Sequence, residues 1–158
     1  MVDDGTVHRY QARVRWSGST AGGYESYDRT HTAEAPPAAT GLTLAADPAF
    51  RGDPALLNPE QLVVLAASSC QLLSFLAVAA RARIDVRRYD DDAEATMAED
   101  DPPMRLTAIV LRPRVEVGPG PTVERVQHLL EVAHRECFIA NSLRTEITVE
   151  AIVTIAEA

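Results

Sequence analysis

The chain contains no lysine; all fifteen of its basic residues are arginines. That absence removes Schiff-base chemistry and the lysine of a phosphate-binding loop from the possible functions. Cysteine is scarce as well, with Cys70 and Cys137 alone in 158 residues. Two cysteines are too few for a disulfide framework, and they show neither CxxC nor Cys/His metal spacing. Basic charge is in deficit, and the net charge of −8 argues against a general nucleic-acid surface. Residues 1–5 lack a basic region followed by an apolar run, so no signal peptide is expected. The expectation is a cytoplasmic protein of one domain, 1–158, long enough to bury a core without covalent staples. In a reducing compartment a cysteine pair is more often catalytic than structural.

Hydrophobic periodicity organises the rest. His8, Tyr10, Ala12, Val14 and Trp16 alternate with polar residues, the period of a half-buried strand. After Gly18 and Gly22-Gly23, the aromatic stretch from Tyr24 to His31 reads as a second strand. A loose segment from Glu34 to Leu57 holds several prolines and glycines and one short strand near Leu42 to Ala45. Asn58 suits a helix cap and Pro59 the first helical position. From Leu62 to Ala80 no residue is charged. Such a run raises a transmembrane reading. Ser68, Ser69, Cys70, Gln71 and Ser74 make its centre polar, which favours instead a helix buried on all sides by its own domain or a partner subunit.

Two strands are expected at Val86 to Met97 and Arg105 to Val117, joined at Asp100-Asp101-Pro102-Pro103. Thr122 caps a second helix with Val123, Val126, Leu130 and Ala133 on one face, a series that Cys137 continues. The final strand presents Ile147, Val149, Ala151, Val153 and Ile155 on one side. Strands in two groups, each followed by a helix, indicate an α+β fold with antiparallel sheet.

Taken singly, the polar candidates have ordinary explanations. Free cysteines are commonly inert core residues. Glu60 is a first-turn acid favoured by the helix dipole, and Arg51 a solvated loop residue. His134, three residues before Cys137, could pair with it on one face, but with no third partner visible it reads rather as a surface histidine. Asp90-Asp91-Asp92 with Glu99-Asp100-Asp101 could bind a cation, but without EF-hand glycine spacing the group reads as a solvated hairpin. Tyr10, Trp16, Tyr24 and Tyr27 fit strand packing as well as a pocket.

Taken together they carry a resemblance. Asn58-Pro59-Glu60-Gln61-Leu62, the small-residue approach to Cys70, and Cys137 followed by Leu143-Arg144-Thr145-Glu146-Ile147-Thr148-Val149 resemble the osmotically inducible protein C and organic hydroperoxide resistance (OsmC/Ohr) family. The order of elements agrees over nearly the whole chain. The resemblance implies antiparallel sheets around a long buried central helix in an intertwined homodimer. It also implies a thiol-dependent peroxidase that reduces organic hydroperoxides, with Cys70 peroxidatic and Cys137 resolving. Glu60 then orients an active-site arginine, matched by Arg51 in Phe50-Arg51-Gly52-Asp53 or, second, by Arg29. No cofactor or metal is implied, only an external dithiol such as a lipoyl group or a thioredoxin-like protein. Nucleic acid and membrane are not expected partners.

Two departures point to a divergent subgroup. Phe138 follows Cys137 where many relatives have proline, adding bulk beside the sulfur, and the Gly22-Gly23-Tyr24 segment lacks an arginine. The alternative function is therefore a non-enzymatic redox-sensing or small-molecule-binding member of the same fold. Helix geometry adds a constraint: ten residues put Glu60 and Cys70 roughly 15 Å apart on one continuous helix. Either the helix breaks between them, or Glu60 serves a Cys70 across a dimer interface.

Overall fold

The computed structural model describes residues 6–157 and divides the chain into two compact units, Met1–Leu62 and Val63–Ala158. The expectation concerning residues 1–5 lies outside the described residues.

The first unit holds an antiparallel sheet of β1 (Arg13–Arg15), β2 (His31–Glu34) and β3 (Leu42–Leu44), with β2 in the middle. The first strand is shorter than the alternation from His8 suggests. Its register ends at Arg13 opposite Glu34, and Pro36-Pro37 soon follows Glu34. Proline has no N–H to extend a ladder, so residues 8–12 stay exposed and unpaired. The second strand also begins later, at His31 rather than Tyr24. Tyr24 and Tyr27 stack on the Arg29 guanidinium, 4.7 and 3.9 Å from its carbon. The Arg29 Nη atoms donate to the Tyr27 and Tyr24 carbonyls at 2.5 and 2.6 Å, fixing the segment as a loop. A 3-10 turn, Pro48–Phe50, leads to Gly52, where a Cβ would fall 1.6 Å from the Ala46 carbonyl oxygen. Only glycine permits that approach.

α1 (Pro59–Arg81) starts as the sequence indicates, with a reciprocal cap. The Asn58 side chain accepts from the Gln61 N–H at 2.8 Å, and the Gln61 side chain accepts from the Asn58 N–H at 3.0 Å. α1 is long and apolar enough to cross a membrane. One of its faces is a core face: Ala67, Gln71, Phe75, Val78 and Ala79 are buried. Its own chain leaves Leu65, Leu73 and Leu76 exposed, so burial on all sides is not reached within one copy. The helix ends with Arg83 in a left-handed conformation, while the Ile84 N–H reaches back to the Ala79 carbonyl at 2.9 Å.

In the second unit each expected long strand is two. The first hairpin supplies β4 (Val86–Asp91) and β5 (Glu94–Met97), then β6 (Leu106–Leu111) and β7 (Pro113–Val117). The terminal strand divides into β8 (Glu146–Val149) and β9 (Ile152–Ile155). The halves sort into two three-stranded sheets, β4-β7-β9 and β5-β6-β8. The breaks fall at one level. There the Asp91 carboxylate accepts the Arg112 backbone N–H at 2.6 Å, and the Glu150 N–H donates to the Leu111 carbonyl at 2.8 Å. Pro113, buried at the first residue of β7, takes a position where no ladder donor is required.

The hairpin pairs β4–β7 and β5–β6 are antiparallel as expected, while β8 and β9 add in parallel to β6 and β7. The parallel addition follows from α2 (Val123–Glu136), which carries the chain back along the sheet before the last strand. The Thr122 Oγ1 caps α2 by accepting the Arg125 N–H at 3.2 Å. A short α3 (Phe138–Ser142) follows immediately. One core cluster joins Phe75, Val78 and Ala79 of α1 to Val115 and Val117 of β7 and to Val126, Leu129, Leu130 and Ala133 of α2. A second joins Ala67 to Ile109 and Leu111 of β6.

Two substitutions test these constraints. Gly52→Ala is expected to lower stability by more than about 2 kcal/mol in denaturant unfolding, because the Ala46 backbone has to move. Asp91→Ala is expected to cost about 1–3 kcal/mol by leaving two donors unpaired. An unchanged midpoint for either variant contradicts its assignment.

Candidate active site

The two cysteines, 67 positions apart in sequence by number, come together in the second unit. Contacts of α1 and of the α2–α3 joint make this possible. The buried Gln71 amide donates from Nε2 to the Leu130 carbonyl at 3.1 Å, locking α1 to α2 beside Cys70. One turn earlier, the Ser68 hydroxyl donates to the Asp91 carboxylate at 2.5 Å. At the far end of α2, the Asn141 side chain donates to the Arg135 and Cys137 carbonyls, both at 2.9 Å, holding the joint into α3.

Cys137 closes α2 and opens α3. Its N–H donates to the His134 carbonyl at 3.2 Å, and its Sγ accepts the Ala140 N–H at 3.5 Å. It therefore does not continue the helical series as one more residue of α2, yet it is buried as that series implied. Cys70 is half-buried.

The two thiols differ electrostatically. Partial burial pushes the Cys70 thiol up, but hydrogen bonds from the Ile139 N–H, the Cys137 thiol, the Phe138 N–H and the Ser74 hydroxyl outweigh it. The net effect holds Cys70 below the ordinary thiol value. For Cys137, burial pushes the thiol up; the Ala140 N–H opposes this, while donation to Cys70 and the Cys70 charge add to it. Its net shift is upward. The thiolate is the reactive form of cysteine, and of the two sulfurs Cys70 has the surroundings that favour it.

Phe138 departs from expectation. Its side chain is 81% exposed rather than packed over sulfur. Its backbone contributes, after Ile139, a second N–H toward Cys70, a donor that proline at this position lacks.

The remaining expected residues lie in the first unit. Arg51, left-handed at φ 67°, forms an ion pair with Glu25 rather than the expected pair with Glu60. Its place at the close of the 3-10 turn, with its N–H on the Pro48 carbonyl at 3.0 Å, sets that direction. Glu60 is half-buried in the first turn of α1 and has no ion-pair partner among the described residues. Arg29 is held by Tyr24 and Tyr27 and lines an apolar cavity of about 440 Å³ with Trp16, His31 and Pro59. α1 is unbroken between Glu60 and Cys70, so the helix break that would join them within one copy does not occur.

Three residues escaped sequence reasoning: Gln71, Tyr89 and Asp91. For Asp91 a signal existed. It shares its period-two face with Tyr89, Ala93, Ala95 and Met97, and a carboxylate on such a face needs donors. The acidic cluster is accordingly no plain solvated hairpin. Asp91 holds α1 and the strand break, while Asp92 pairs with Arg114 at 2.7 Å and pushes that guanidinium further up.

Comparison with known proteins places this arrangement. Residues 52–151 match the family model described as OsmC-like protein. An OsmC-like protein of unknown function from Vibrio cholerae is 32% identical, with 92% of this chain and 100% of that one covered at a TM-score of 0.83. Two more distant structures share the fold. An organic hydroperoxide resistance protein OsmC from Legionella pneumophila is 18% identical, with 95% and 99% covered at a TM-score of 0.71. An organic hydroperoxide resistance protein from Elizabethkingia anophelis is 21% identical, with 96% and 99% covered at 0.69. No curated protein matches.

The thiol asymmetry is directly measurable. Alkylation of Cys70 by iodoacetamide is expected to reach half-maximal rate below the value of about 8.5 for free cysteine. Cys137→Ala removes one donor and should move that midpoint upward. A midpoint above the free value in the unmodified chain refutes the assignment.

Proposed function

The chain belongs to the family of OsmC-like proteins, and from that premise we propose that it is a thiol-dependent peroxidase acting on organic hydroperoxides. The observation that carries the reading is the thiol pair: a half-buried Cys70 held below the ordinary thiol range by donors that include Cys137 itself. The Cys70 thiolate attacks the terminal oxygen of ROOH. The O–O bond breaks, the sulfur becomes a sulfenic acid, and the departing alkoxide takes a proton to become the alcohol. Cys137 then displaces the sulfenic oxygen as water and forms the Cys70–Cys137 disulfide. An external dithiol, such as a lipoyl group or a thioredoxin-like protein, returns both thiols by exchange. The enzyme is proposed to be cytoplasmic and to need no cofactor or metal.

A homodimer belongs to this proposal. The exposed Leu65, Leu73 and Leu76 of α1 form an apolar face that a second copy can cover. The unbroken helix keeps Glu60 from its own Cys70, so Glu60 with Arg51 or Arg29 serves the thiol of a partner copy. Against this stands one specific observation. No guanidinium is among the groups that lower Cys70, and Arg51 is engaged by Glu25. That favours, as the second reading, a redox-sensing or small-molecule-binding protein.

Consumption of cumene hydroperoxide with dithiothreitol or dihydrolipoamide decides between them. Sustained turnover that Cys70→Ser abolishes is expected. With Cys137→Ser, one turnover should leave a sulfenic acid that dimedone traps. Disulfide formation without sustained turnover on any dithiol establishes the sensor reading instead, and an unchanged thiol titre after peroxide ends both redox readings.

A further inference from the structure

Arg29 is fixed in place at both its backbone and its side chain. Its Nη atoms donate to the Tyr27 and Tyr24 carbonyls at 2.5 and 2.6 Å, and both tyrosine rings lie against the guanidinium. The Arg29 carbonyl accepts from His31 Nδ1 at 2.8 Å. These bonds use two of the five N–H donors of the guanidinium. The acids near it in sequence are committed elsewhere. Glu25 pairs with Arg51, the Asp28 carboxylate accepts the Thr30 N–H at 2.8 Å, and Glu34 pairs with Arg15 at 2.9 Å. Among the described residues Arg29 has no ion-pair partner, so its charge is held still and left unneutralised.

The same side chain lines the cavity of about 440 Å³ within the first unit. That volume suits a small molecule, whose sites span about 300–1,000 Å³. Val14, Trp16, Tyr27, Ala45 and Pro59 give it apolar walls, and Arg29 is the only arginine among its lining residues. The Trp16 indole N–H donates to the Asp28 carbonyl at 2.7 Å, which orients the ring. That ring meets Tyr27 edge to face, with centres 6.2 Å apart. Two rings at nearly a right angle offer a third ring both a face and an edge. An apolar recess bordered by one immobilised cation suits a molecule with a hydrocarbon body and one negative charge.

We propose that this cavity binds a small aromatic carboxylate, with its ring against Trp16 and Tyr27 and its carboxylate on the free N–H groups of Arg29. The guanidinium is already ordered by the tyrosine carbonyls, so binding costs little further side-chain entropy. A carboxylate matches the single cation, whereas the second charge of a phosphate group would stay unpaired in a protein of net charge −8. The planar fork of arginine suits the two oxygens of a carboxylate. The site goes beyond the peroxidase reading, because the thiols lie in the second unit and take no part in it. With Arg29 committed to this ligand, Arg51 is the arginine left for the proposed peroxide site.

Trp16 is the only tryptophan of the chain, so its fluorescence reports on this cavity. Titrating the full chain with phenylpropionate is expected to give a saturable change in Trp16 emission. Phenylpropanol keeps the ring without the charge, and propionate keeps the charge without the ring. Each should bind about tenfold more weakly or worse. Arg29→Gln should weaken phenylpropionate by about tenfold and change phenylpropanol by less than about twofold. Because Arg29 also holds its own loop, Val14→Glu supplies a second variant at an exposed strand residue that leaves every Arg29 bond intact. Its carboxylate competes at the cavity wall and should produce the same selective loss. No saturable change with phenylpropionate overturns the proposal, as does equal affinity for the acid and either fragment. Wild-type affinity for phenylpropionate in either variant overturns it as well. A chain that binds phenylpropionate selectively but consumes no hydroperoxide defeats the peroxidase reading and leaves this site standing.

Discussion

One carboxylate holds three parts of the second unit together. Asp91 accepts the Ser68 hydroxyl of α1 with one oxygen and the backbone N–H of Arg112 with the other, at 2.5 and 2.6 Å. The first contact sets the helix two residues before Cys70. The second stabilises the point where β6 gives way to β7 and where the chain leaves one sheet for the other. An aspartate carries charge into a half-buried position only when donors compensate its lost hydration. Here the donors come from different elements, so the same compensation fixes helix to strand. Gln71 repeats the device one turn later by donating to a backbone carbonyl of α2.

These anchors place two chemically similar groups in dissimilar surroundings. Cys70 is met by backbone N–H groups at the start of α3, by Ser74 and by Cys137. Cys137 lies deeper and donates rather than accepts toward its neighbour. The difference follows from where each residue sits on its element. Cys70 is within a long helix whose own amides are committed, so its sulfur draws on donors from elsewhere. Cys137 is at a helix junction, where burial dominates. Surroundings alone thus set the two sulfurs apart, one shifted toward the thiolate and the other toward the thiol.

Much of this was legible one residue at a time. Asn58, Pro59 and Gln61 announce the start of α1 through local hydrogen bonding, and Thr122 does the same for α2. The burial of Cys137 follows from the spacing of Val126, Leu130 and Ala133. The strand breaks were only half legible: Asp92 and Pro113 disfavour a continuous strand, but local sequence does not say that the halves join different sheets. That sorting depends on ladder partners far away in the chain. The late start of β2 was hidden for a related reason: Tyr24 and Tyr27 favour strands in general, yet here they stack on Arg29. The carboxylate that Arg51 meets was hidden likewise, since it depends on a turn that delivers the side chain to Glu25.

The sequence by itself determined the elements whose signals are local, the α+β class, the family and the two cysteines as the centre of interest. Caps, periodicity and the lack of lysine act over a few residues and require no partner. Tertiary structure alone decided that the thiols meet, which of them is acidified, that Phe138 contributes its backbone rather than its ring, and that one face of α1 stays open. Each of those outcomes depends on donors, acceptors and apolar surface brought from distant positions. Hydrogen bonding and desolvation act through space, and spacing along the chain does not encode that distance.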